Sequence, residues 1–144
     1  MRITWGVAIL ALALAAGANR TVLTQGNMTP AQLEASMKGI ASAQAAMGKK
    51  MQGNQLADAA KDAEQLVTHF GEVEKFFAQH KKTDAVTWAQ QGKTAATAVA
   101  SALAAGDATK ATTERGNMAA SCKQCHAAYR EGTPGNYTIK AGAI

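Results

Sequence analysis

Apolar residues recur along most of the chain at the alternating three- and four-residue steps of a helical seam. The first stripe is Leu33, Met37, Ile40, Gln44, Met47 and Met51, with Gln44 its one polar member. Ahead of it stands Thr29-Pro30-Ala31-Gln32. Thr29 suits an N-cap, Pro30 the first helical position, and Gln32 reaches back as in a capping box. Gly53-Asn54 ends this helix and caps the next, whose stripe is Leu56, Ala59, Ala63, Leu66, Phe70, Val73 and Phe77. His80-Lys81-Lys82 then brings positive charge to the carbonyl end of the second helix, where the helix dipole favours it. Thr83 or Asp84 is expected to cap a third helix running through Trp88 and Val99 to Leu103. Gly106 closes it and Asp107 caps a fourth. The fourth helix is predicted to reach about Glu131, where Gly132 and Pro134 stop it, and residues 133–144 read as a tail without regular structure. Four helices of similar length with short connections predict an all-α fold, an antiparallel up-down-up-down four-helix bundle.

Composition agrees with that pattern. The 144 residues suffice for one domain, and 47% hydrophobic residues supply a core. Abundant alanine and only 2 prolines favour helix over sandwich or barrel. The net charge of +5 is spread along the chain, with no dense basic tract interleaved with aromatics, which argues against nucleic acid as a partner. Nothing resembles an acid/base pair, a catalytic triad or a phosphate loop, so the chain does not read as an enzyme.

The first residues change the picture of where the protein works. Arg2 is followed by an uncharged, mostly apolar run from Ile3 to Ala16 and by the small residues Ala16-Gly17-Ala18. The run is about 14 residues, short of the ~20 that span a bilayer, and reads as a secretory signal peptide over residues 1–18. Residues 19–144 then form the mature domain, exported to the periplasm and free of the membrane after cleavage. In that compartment two cysteines would normally oxidise to a bridge unless something else holds them.

The candidate chemistry lies in Cys122-Lys123-Gln124-Cys125-His126. Two thiols three residues apart on a helix can add to the two vinyl groups of one haem, and the adjacent His126 then serves as an axial iron ligand. Covalent attachment suits a chain too small to hold a haem by contact alone. A thioredoxin-like C-x-x-C would need a strand before its helix. A zinc site would need a further ligand, and His69 and His80 have no finger-like spacing. A disulfide inside a continuous helix strains the bridge geometry. One covalently bound haem c is therefore the expected cofactor.

The motif stands in the last helix and continues as Cys122-Lys-Gln-Cys-His-Ala-Ala-Tyr129-Arg130. In this the chain resembles the cytochrome c′/cytochrome c556 family, the class II c-type cytochromes, over nearly all of the mature sequence. Gln32-Leu33-Glu34-Ala35-Ser36-Met37-Lys38 is similar to the family's first helix. The position five before Met37, where the family often carries a basic residue, is Gln32. The resemblance implies that Met37 occupies the distal position, as the second axial ligand of a c556-type protein. It also implies that Arg130 lies on the proximal side, tuning His126 or pairing with a propionate. The c′ branch instead leaves the iron five-coordinate behind an apolar distal residue. Helix geometry is compatible with Met37: it lies ~10 Å into the first helix and His126 ~7 Å from the end of an antiparallel last one, whereas Met47 would be ~25 Å in. Alternatives left open are an open sixth position and ligation by His80.

Phe70, Phe76, Phe77, Trp88, Tyr129 and Tyr137 all fall toward the end of the bundle where the motif lies. Phe70, Val73, Phe77, Trp88 and Met118 are candidate walls of the cofactor site. Two axial ligands favour one-electron shuttling over substrate chemistry. The expected function is a periplasmic electron carrier, with capture of nitric oxide or carbon monoxide at an open site as the alternative. Lys38, Lys81, Lys82 and Lys123 are placed to steer an acidic redox partner. The resemblance further implies a possible homodimer through the first two helices.

Overall fold

The computed structural model describes residues 27–144; the signal peptide expected over residues 1–18 lies outside the described residues. Four helices, α1 (Pro30–Gln52), α2 (Leu56–Gln79), α3 (Thr83–Ala104) and α4 (Ala108–Tyr129), form an all-α four-helix bundle. No helix among the described residues is long and apolar enough to cross a membrane.

The start of α1 follows from its sequence. Thr29 accepts from the Gln32 amide and the Gln32 side chain accepts in return from the Thr29 N–H at 2.7 Å, a complete capping box with Pro30 at N1. Asp107 caps α4 by accepting from the Lys110 N–H at 2.8 Å. The expected cap of α3 is not formed. Lys82 holds the N-cap position without a side-chain bond, because Asp84 Oδ1 is committed to the Ala85 N–H and the Tyr129 hydroxyl. Likewise Gln55, not Asn54, precedes α2, and it caps nothing with its side chain. Asn54 instead turns the corner at φ 56, a left-handed conformation that asparagine tolerates.

Successive helices pack in order: α1 on α2, α2 on α3, α3 on α4. The buried positions of α2, from Ala59 through Leu66 to Phe77, follow the expected stripe. On α1 they do not quite. Leu33, Ser36, Ile40, Ala43 and Met47 are buried, while Met37, Gln44 and Met51 are half-buried. Close approach to α2 explains the rotation. The His69 ring lies directly on Gly39, where any Cβ would overlap it, so α1 turns its small residues Ser36 and Ala43 inward. Met37, Gln44 and Met51, each seven residues from the next, are left on one flank. That flank looks toward α4: Met51 Sδ receives a long contact from Arg115 Nη1 at 3.7 Å, and Gln44 shares a cleft with α4 side chains. Between α1 and α4 the helices do not pack as the other neighbours do, and the cleft lies there.

The core is filled mainly by Leu66, Phe70, Val73, Phe76 and Phe77 of α2 against an alanine-rich face of α3 and Met118 of α4. Phe70 packs onto Gly92 so closely that a Cβ there would enter the ring.

The C-terminal segment differs from the expected tail. Helix α4 ends at Tyr129, not near Glu131, and the chain turns directly into an antiparallel hairpin, β1 (Arg130–Thr133) and β2 (Asn136–Ile139). Pro134-Gly135 makes the connection, with Gly135 at φ 90, a combination suited to the two central residues of a type II turn. Gly132, at φ 97, faces the Asn136 carbonyl where a Cβ would collide. A two-stranded hairpin is marginal alone. This one is docked: Lys140 Nζ donates to the Ala127 carbonyl at 2.7 Å, the Lys140 N–H to the Tyr129 carbonyl at 2.9 Å, and Ile139 packs against the core.

Candidate cofactor site at the end of helix α4

The C-x-x-C-H motif occupies the last two turns of α4. Met118, Ser121 and Cys125 share the buried face of the helix, with Cys122 and His126 half-buried beside it. Continuity of the helix through the motif keeps the two thiols unbridged; both are free cysteines.

Burial dominates the electrostatics of both thiols. It pushes the Cys122 thiol up, and it carries Cys125 to about 11, helped by Cys122 and the Asp84 carboxylate. Both are therefore protonated at neutral pH. A reactive dithiol of the thioredoxin kind needs the opposite, a thiolate stabilised at a helix N-terminus. Here the motif lies at the C-terminal end, where the dipole works against a thiolate. A zinc site fares no better: among the described residues no three His, Cys, Asp or Glu side chains converge.

His126 is shifted the other way. Its burial, with the nearby Arg130 guanidinium, lowers its pKa. The ring stays neutral at pH 7, and a neutral imidazole has a lone pair to give to a metal. The Arg130 N–H donates to the His126 carbonyl and so fixes the end of the helix under it.

Cys122, Lys123 and His126 line a cleft of about 620 Å³ with Gln44 of α1 across from them and Glu131, Gly132 and Tyr137 of the hairpin at one side. That volume is within the range of cofactor pockets. The donor set is that of a covalently held haem: two protonated thiols on one helix and a neutral imidazole next to the second, with Cys122 and His126 at the open space and Cys125 buried behind them on the core side.

Met37 is half-buried, packs against the core and shares the flank of Gln44, but it is Gln44 that lines the cleft. Arg130 is present at the cleft with its guanidinium 4.0 Å from the centre of the Tyr137 ring. Gln32, where the resemblance leads one to look for a basic residue, is occupied in the α1 cap. None of the expected walls lines this cleft: Phe70, Val73, Phe77 and Met118 lie in the core, and Trp88 is half-buried against it. Phe77 does stack at 4.9 Å on Tyr129, which in turn meets Trp88 at 6.4 Å, so an aromatic cluster stands behind the motif. Among the four lysines, Lys123 is exposed at the cleft and Lys81 is exposed at the α2–α3 corner, whereas Lys38 is paired with Glu34 at 2.7 Å. His80 leans on Phe76 at 4.7 Å, and His69 is bonded to Glu72 at 2.9 Å.

Of the hairpin residues at the cleft, Tyr137 is one of the aromatics expected at this end of the bundle, whereas Glu131 and Gly132 are not foreseen by the motif. Their signal was a Pro-Gly pair between two short segments with Thr, Tyr and Ile. Compared with known proteins, the chain matches no family model, no curated protein and no solved structure.

Proposed function

We propose that the mature protein is a periplasmic c-type haem protein that carries single electrons. Cys122 and Cys125 hold the haem as thioethers, His126 is one axial ligand and Met37 the other. The observation that supports this reading is the pairing on α4 of two unbridged, protonated thiols with a neutral His126, of which Cys122 and His126 open onto a cleft. The haem supplies a one-electron iron couple, and a thioether opposite histidine raises its potential.

The residues divide the remaining work. Helix α4 fixes the spacing of the three attachment atoms. Met37 would reach the iron from the α1 flank it shares with Gln44. Arg130 sets the local field at His126, and Lys123 with Lys81 draws an acidic redox partner to this end of the bundle.

A second reading is a five-coordinate haem that binds nitric oxide or carbon monoxide. The specific observation in its favour is that Gln44, not Met37, is the α1 side chain at the cleft. Ferric and ferrous spectra of the exported protein separate the two. A low-spin spectrum with the weak far-red iron–thioether band is expected of the carrier. A high-spin spectrum that takes up carbon monoxide readily would favour the gas binder.

A further inference from the structure

The hairpin ends the chain with more fixings than a tail requires. Its first residue is bonded to the His126 carbonyl, and Lys140 returns to the carbonyls of Ala127 and Tyr129. The left-handed Gly132 lets β1 and β2 approach without collision. These bonds hold Tyr137 at the same cleft as Cys122 and His126. Arg130 covers part of the Tyr137 ring in a cation–π contact that helps hold the aromatic in place. Yet the ring is 43% exposed, one of two large apolar side chains left so among the described residues. The ring therefore stands fixed on the cleft shared with Cys122 and His126, with part of its surface still free.

We propose that the hairpin is a wall of the cofactor cleft and that Tyr137 is a haem-binding residue, giving the cofactor an apolar surface that keeps water from the His126 side. The inference rests on the haem reading above. Removing the ring admits water, which favours the more highly charged ferric form and lowers the potential. Tyr137→Phe keeps the ring and the contact with Arg130. Tyr137→Ser removes both, and Gly132→Val dismantles the hairpin while leaving Tyr137 in the chain.

The test uses full-length protein matured in a host able to attach haem c. Midpoint potentials are measured for the native chain and the three variants, with helical circular dichroism as the check on folding. Amide exchange over 132–139 is compared between the native protein with and without attached haem. Expected are an unchanged potential for Tyr137→Phe and, for Tyr137→Ser and Gly132→Val, a reduction equilibrium about tenfold less favourable, which for one electron is about 59 mV. Exchange in the hairpin should slow when the haem is attached. If Tyr137→Ser keeps the native potential and exchange over 132–139 is the same in both forms, the wall is refuted while the haem reading stands. If the native chain carries no haem, both are refuted. Should Tyr137→Ser fail to accumulate, the exchange comparison on the native chain decides alone.

Discussion

The Tyr129 hydroxyl donates to Asp84 Oδ1 at 2.7 Å, tying the last turn of α4 to the first turn of α3. The bond explains why Asp84 does not cap its own helix, and it holds Tyr129 against Phe77 and Trp88 directly behind the cysteines.

It also has a pH signature. Asp84 is held below the usual carboxylate range, chiefly by the Tyr129 hydroxyl. Tyr129 is pushed up to about 12, first by burial and then by Asp84. A phenol raised in the folded state keeps its proton when the unfolded one, near about 10, has lost it. Stability from this pair is therefore complete between about pH 4 and about pH 10: it is lost as pH rises toward 12 through Tyr129, and as pH falls below the usual carboxylate range through Asp84. Phenolate absorbance should show Tyr129 ionising well above a free tyrosine, and Asp84→Asn should bring that titration down. An unmoved titration in Asp84→Asn would show the bond to be absent.

The contact of Phe70 with Gly92 leaves no room for a methyl group. Gly92→Ala gains helix propensity, worth up to about 1 kcal/mol on an open helix, but here it overpacks the core. The net expectation is a loss of about 1–2 kcal/mol in urea unfolding. Gly116→Ala, where nothing lies within 4 Å, serves as the control and should not destabilise.

Asp62 is the one charged residue in the buried core of the described chain, and Lys50 reaches its two oxygens at 2.9 and 2.8 Å. Removing the cation strands a buried carboxylate. Because Lys50 is itself a third exposed, water compensates in part. Lys50→Met should cost about 1–3 kcal/mol by denaturant unfolding. The fully exposed Lys61–Asp58 pair predicts no detectable change for Lys61→Met.

Met37→Ala tests the proposal that Met37 is the second axial ligand. Low-spin ferric iron should become high-spin, carbon monoxide should bind the ferrous form readily, and the potential should fall. A spectrum unchanged by the substitution excludes Met37 as the ligand.

Much of the bundle was legible because its signals are local. The Thr29–Gln32 box, the Asp107 cap and the α2 stripe each follow from a few adjacent residues. What was not legible depends on which face of a helix meets which neighbour. Periodicity alone groups Met37 and Gln44 with Ile40, and only the approach of His69 to Gly39 shows that α1 rotates them to its flank. The hairpin was hidden for a related reason. Gly132 and Pro134 stop a helix whether or not a strand follows, and β1 and β2 depend on docking through Lys140 and Ile139. At the site, the Cys122, Cys125 and His126 set was readable from spacing. The cleft beside it was not: Tyr137 was placed at this end, but Gln44 and the hairpin that carries Gly132 are brought there only by the fold.

The most direct measurement is the intact mass of the exported protein, taken under denaturing conditions from a host that matures c-type cytochromes. The account predicts a chain cleaved after Ala18 whose mass exceeds that of the polypeptide by one haem, with Cys122 and Cys125 both blocked to alkylation. A chain of bare polypeptide mass, its two cysteines free or joined to each other, would contradict it.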